Sequence, residues 1–178
     1  MKQATRLCLK ARNGDRRAAS ELVRLFYQKV YNYLRRLSRS SLCAQDLTQE
    51  TFRRLWSSLG SYRGGCTFST WIYKIAYSVY VDWLRDKGGA TGKSDAWWDS
   101  QADGKPGPCE HAEDRQLAER LYRLVDELAE EDKQVIYLHF HQGLSLRETA
   151  GVLDEAASTV RYRFRNAMAK LRSQMGKR

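Results

Sequence analysis

The sequence predicts an all-α protein of two small helical domains joined by a flexible acidic linker. Three observations carry this. Apolar residues recur at spacings of three and four on both sides of residues 88–112, only two prolines occur among 178 residues, and charge changes sign in blocks. Residues 1–87 hold 17 basic and 6 acidic side chains, residues 88–135 hold 6 and 12, and residues 136–178 hold 8 and 3. Two cationic modules separated by an acidic connector suit two contacts on one long polyanion. With 42% hydrophobic residues and a net charge of +10, the composition favours a packed protein over a disordered one, and nucleic acid as a partner.

In the first module, spanning 1–87, Leu22, Phe26, Val30, Tyr33, Leu34 and Leu37 mark one apolar helical face. Leu47, Thr51, Leu55, Trp56 and Leu59 mark a second helix, with Ser41 as its N-cap. Phe68, Trp71, Ile72, Ile75, Ala76, Val79 and Trp83 mark a third, so a bundle of three helices is expected, with Tyr73, Lys74, Tyr77, Tyr80 and Arg85 left off the stripe. Between the second and third helices, Gly64 and Gly65 permit a tight irregular loop. The start of the chain, Met1 to Arg12, alternates charge with leucine and is unlike a signal peptide; no apolar run approaches the ~18 residues of a membrane span.

The linker, 88–112, is read from its glycines and its Pro106 and Pro108. Trp97 and Trp98 within it are costly to leave in water; one reading docks them on a neighbouring module, the other has them bind a partner, and docking is the favoured of the two. In the second module, 113–178, Leu117, Leu121, Leu124, Val125 and Leu128 form a stripe, and Asp132 to His141 form a short helix ended by Gly143. Ser145 and Glu148 fit a capping box, the next helix ends near Leu153, and Asp154 tolerates a left-handed turn. The stripe of Val160, Phe164, Ala167 and Leu171 then turns Ser158, Arg161, Tyr162, Arg165, Asn166 and Ala169 outward. Two helices joined so closely, the second rich in arginine, read as a helix-turn-helix, in which arginine can bind guanine edges and serine or threonine phosphate or base. The competing reading of the arginine run is a solvated basic face.

Taken together, these motifs resemble the extracytoplasmic-function (ECF) sigma factors of the sigma-70 family, over nearly the whole chain. DLTQETFRRLW, Asp46 to Trp56, looks like the region two helix that docks on the clamp helices of the polymerase beta-prime subunit. The resemblance assigns polymerase binding to Asp46, Gln49, Glu50, Phe52, Arg53 and Trp56, with Asp46 and Glu50 expected to be exposed. FSTWIYKIAYSVYVDWLRDK, Phe68 to Lys87, looks like the helix that melts and reads the minus-ten element, and the loop before it would hold a flipped base. Its implied DNA contacts are Arg63, Gly64, Gly65, Thr67, Phe68, Thr70, Trp71, Tyr73, Lys74, Tyr77 and Ser78. Gly143 to Arg172 looks like region four, implying minus-thirty-five contacts at Ser158, Thr159, Arg161, Tyr162, Arg165 and Asn166. The chain departs from the family pattern at Tyr77 and Ser78, where Arg and Asn are usual, and at Ala156 and Ser158, where Pro and Gly are common.

The resemblance implies a non-catalytic, cytoplasmic bacterial protein. Its implied partners are RNA polymerase core (the beta-prime clamp helices and the beta flap), promoter DNA and an anti-sigma factor, with no direct membrane insertion and no cofactor. An autonomous helix-turn-helix regulator would need a ligand pocket in a first module that is instead highly basic. A metal or redox sensor would use Cys109, His111, His139 and His141, but each pair is split by a single residue, which on a helix points its members to different faces. The four cysteines are scattered, without a Cys-x-x-Cys, and read as reduced thiols.

Overall fold

The computed structural model describes residues 2–86 and 120–176. The linker, its two tryptophans, Cys109, His111 and Leu117 lie outside them. The chain divides into two compact units, Met1–Gln101 and Ala102–Arg178.

Among its described residues the first unit has four helices: α1 (Lys2–Arg12), α2 (Arg16–Ser38), α3 (Ser41–Ser58) and α4 (Phe68–Asp86), with a 3-10 turn at Leu59–Ser61. The bundle therefore has one helix more than expected. Ala4, Cys8 and Ala11 of α1 are buried against α2 and α4, at the same three- and four-residue spacing that marks the other helices. The α1–α2 turn uses Gly14 at φ +93, followed by Asp15, whose carboxylate accepts from the Arg17 and Ala18 amides at 2.9 and 3.0 Å. Helix α2 ends on Arg39 in the left-handed region, φ 53. Ser40, not Ser41, caps α3, accepting from the Cys43 amide at 3.3 Å. The core contains every apolar position expected on α2, together with Leu47, Leu55, Phe68, Ile72, Ala76 and Val79.

On α4 the buried stripe is rotated from the expected one. Tyr73 and Tyr80, expected to face outward, are 1% exposed, whereas Trp71, Ile75 and Trp83 are only half-buried. The cause is aromatic packing across the bundle: Tyr73 meets Tyr33 edge-on at 5.4 Å, and Tyr80 stacks on Trp83 at 5.9 Å while donating to the Leu37 carbonyl at 3.3 Å. Burial pushes the Tyr73 phenol well above its ordinary range.

In the second unit, helical residues 120–126 (α5) precede α6 (Glu130–Ile136), α7 (Leu146–Leu153) and α8 (Ala157–Met175). Val125 and Leu128 are buried as expected, but Leu121 is exposed. The segment expected as one regular helix to His141 changes at Tyr137 into a π-helical turn, Tyr137–His141, with the Gln142 amide reaching the Tyr137 carbonyl at 3.2 Å. Gly143, at φ +68, then reverses the chain. The capping box forms: Ser145 Oγ accepts from the Glu148 amide at 3.2 Å, and Glu148 accepts from the Ser145 amide at 3.0 Å. Asp154 takes the left-handed conformation, φ 58. Val135, Leu138, Leu144, Val152, Val160, Ala167 and Leu171 form this unit's core. Among the described residues no helix is long and apolar enough to cross a membrane.

Candidate nucleic-acid and polymerase interfaces

Three helical faces present the predicted residues. On α3, Asp46, Gln49 and Arg53 are exposed at helical spacing, beside half-buried Glu50 and Trp56. Phe52, expected at a partner surface, is instead 7% exposed and packs on the Tyr27 ring at 5.7 Å. Glu50, expected to be open to a partner, is held within the unit. It accepts from Arg53 at 2.6 and 2.7 Å and from Arg54 at 2.7 Å, and those guanidiniums hold its carboxyl down at about 2. Arg54 also donates to Asp82 of α4 at 2.5 Å. Sequence reasoning overlooked Arg54, the residue that ties the outward face of α3 to the next helix.

The second face joins the loop before α4 to that helix's outer side. Arg63, Gly64, Gly65, Lys74 and Ser78 are exposed, with Thr67, Trp71 and Tyr77 half-buried. Trp71, Lys74 and Ser78 recur at three and four along one stripe. Phe68, Thr70 and Tyr73, three of the expected contacts, are buried at 0, 6 and 1% exposure and belong to the core. The Thr70 amide donates to Thr67 Oγ1 at 3.2 Å, so this pair caps α4. Gly64 has φ +76, and a methyl added at Gly64 or Gly65 would meet nothing within 4 Å. The loop backbone is open to a close approach.

The third face is the outer side of α8. Ser158, Thr159, Arg161, Tyr162 and Arg165 are exposed and Asn166 is half-buried, the rotation expected from the Val160–Ala167–Leu171 stripe. Arg163 points elsewhere and pairs with Glu155 at 2.8 Å, so the arginine run divides into two outward residues and one internal tie. Phe164, assigned to the buried stripe, is half-buried and meets His139 and Phe140 at 5.1 and 5.9 Å. His139 Nδ1 lies 2.7 Å from the Leu144 carbonyl, which can only accept, so the proton sits on Nδ1. Among the described residues no group of three or more His, Cys, Asp or Glu could hold a metal ion.

Comparison with known proteins gives these faces a common setting. The family profile described as Sigma-70 region 2 matches residues 22–89, and that described as Sigma-70, region 4 matches residues 118–171. The chain is 32% identical over 168 residues to the ECF RNA polymerase sigma factor SigE of Mycolicibacterium smegmatis, covering 92% of this chain and 65% of that protein. It is 26% identical to the ECF RNA polymerase sigma factor SigW of Bacillus subtilis, over 92% of both chains. The solved structure of the sigma factor RpoE in complex with the anti-sigma factor NepR, from Bartonella quintana, is similar in fold, with TM-score 0.70 and 18% identity over 89% of this chain and 98% of that one. The two profiles in order, and relatives matched along most of the chain, make it a member of the sigma-70 family, in the extracytoplasmic-function group.

Proposed function

We propose that the chain binds bacterial RNA polymerase core, recognises the minus-thirty-five and minus-ten promoter elements, and assists strand separation for transcription initiation. It has no catalysis of its own; the polymerase performs the chemistry. In this reading residues 1–87 act as region 2, 88–112 as linker and 113–178 as region 4. The protein works in the cytoplasm, with an anti-sigma factor as a further partner. Asp46, Gln49, Arg53 and Trp56 on α3 meet the clamp helices. Arg63, Gly64, Gly65, Thr67, Trp71, Lys74, Tyr77 and Ser78 meet the minus-ten element, and the outer face of α8 meets the minus-thirty-five element.

The observation that carries this reading is the outward stripe of Trp71, Lys74, Tyr77 and Ser78 beside an open glycine loop. A basic group neutralises phosphate, exposed ring surface stacks on an unpaired base, and glycine backbone admits one that is extruded. An autonomous regulator needs only a duplex-binding surface and leaves this stripe without a role. Permanganate footprinting tests the reading: adding the chain to core polymerase should expose unpaired thymines at the minus-ten element. Protection of duplex DNA without any unpaired thymine would refute it.

A further inference from the structure

Helix α1 lies outside the matched region 2 segment, yet it reaches the glycine loop at both ends. On the upstream side, Arg12 Nη1 donates to the Tyr62 carbonyl at 2.9 Å. On the downstream side, the Phe68 amide, the first of α4, donates to Thr5 Oγ1 at 3.2 Å, so a hydroxyl from a distant helix satisfies one of the helix's otherwise unpaired amides. The Tyr62 hydroxyl donates to the Cys66 carbonyl at 2.7 Å, inside the loop itself. Tyr62 is 3% exposed, its ring lying 4.7 Å from Trp71 and edge-on to Phe68 at 6.5 Å. A connected path thus runs from α1 through Tyr62 to the loop backbone, while Gly64 and Gly65 between the two anchors stay open.

We propose that Thr5 and Arg12 are positioning residues for minus-ten base recognition, fixing both ends of loop 63–67 so that an extruded base meets backbone already in place. The inference rests on the reading of this loop as the base-binding one. Preorganised groups gain because ordering is complete before the ligand arrives. Loss of the Thr5 hydroxyl leaves the Phe68 amide without its acceptor, which loosens the downstream anchor of the loop without touching DNA directly. The α3 face that meets polymerase is not part of this path.

The test uses holoenzyme reconstituted from core polymerase and the full chain, on duplex promoters carrying each minus-ten base replaced in turn. Discrimination is the ratio of open-complex formation on the parent and on the replaced sequence. Thr5→Val keeps the side-chain shape and removes the hydroxyl. It should lower discrimination at one minus-ten position about five-fold, the effect of one hydrogen bond, with core affinity and minus-thirty-five discrimination unchanged. Thr5→Ser should restore it, and Arg12→Met should act at the same position as Thr5→Val. Unchanged discrimination in Thr5→Val, or a loss spread evenly over all positions together with core affinity, overturns the proposal. Gly65→Val separates the two levels. If it lowers discrimination while Thr5→Val does not, the positioning role alone falls; if Gly65→Val is also silent, the loop does not read a base and both readings fall.

Discussion

Among the arginines of α8, partner and exposure separate roles that sequence alone runs together. Arg163 is engaged with Glu155 inside the unit, while Arg161 and Arg165 stand exposed one turn apart. Arg161→Ala should therefore cost about 1–3 kcal/mol in promoter binding and relax specificity at one base pair if it reads a base edge. Quantitative footprinting on a library of minus-thirty-five variants would measure this, and unchanged affinity in the Arg161→Ala, Arg165→Ala double variant would contradict it. On α3, Asp46→Lys should weaken core binding in a titration without loss of fold, because Asp46 is exposed. Glu50→Lys should also destabilise the unit, since it places a third cation against Arg53 and Arg54. The outward face of α8 was legible because a single apolar stripe fixes its rotation. Tyr73 and Tyr80 were not, because tyrosine is equally at home stacked on a base or buried with its hydroxyl bonded, and only the ring of Tyr33 and the carbonyl of Leu37 decide between them.

At the scale of elements, the carboxylate of Glu50 and its two arginines set a pH dependence. Its pKa is lowered from 4.5 to about 2, so it binds its proton less readily folded than unfolded; the stabilisation is present above about 4.5 and is lost as pH falls towards 2. Glu50→Gln should thus be less stable than the parent at neutral pH, with the gap closing below pH ~4.5 in urea titrations. A gap that stays constant to pH 3 would show that the ion pairs are idle. The capping box offers a second check: Ser145→Ala should destabilise α7 by about 1 kcal/mol, read as a lower urea midpoint, and an unchanged midpoint would contradict the cap's contribution. Helix starts and stops of this kind were readable from Ser145, Glu148 and Asp154, since each acts on its own neighbours. Helix α1 was missed because small residues, Ala4, Cys8 and Ala11, form its buried stripe and give a weak apolar signal. The π-turn depends on which carbonyl Gln142 reaches, a choice settled by packing rather than by local propensity.

Across the whole molecule, the +10 charge supplies affinity for any nucleic acid but not the ability to open it. Duplex and single strand both offer phosphates, so stacking must supply the difference, at about 1–3 kcal/mol per base. With Tyr73 and Tyr80 in the core, Tyr77 and the exposed part of Trp71 remain for that task, with Lys74 beside them. Tyr77→Ala and Lys74→Ala should each impair open-complex formation far more on duplex promoters than on templates with a pre-melted bubble. Equal loss on both would leave these residues a binding role only. The order of two cationic modules about an acidic connector was visible in the charge blocks, and their membership of one family followed from three motifs in sequence; which side chains face outward required the packed units. The most direct measurement is transcription by core polymerase, with and without this chain, from a library of random duplex promoters. Chain-dependent transcripts are expected, from templates that share two separated sequence blocks upstream of the start, the nearer one unpaired in the open complex. Transcripts that do not depend on the chain, or templates enriched for a single block that the chain binds equally well without polymerase, would contradict it.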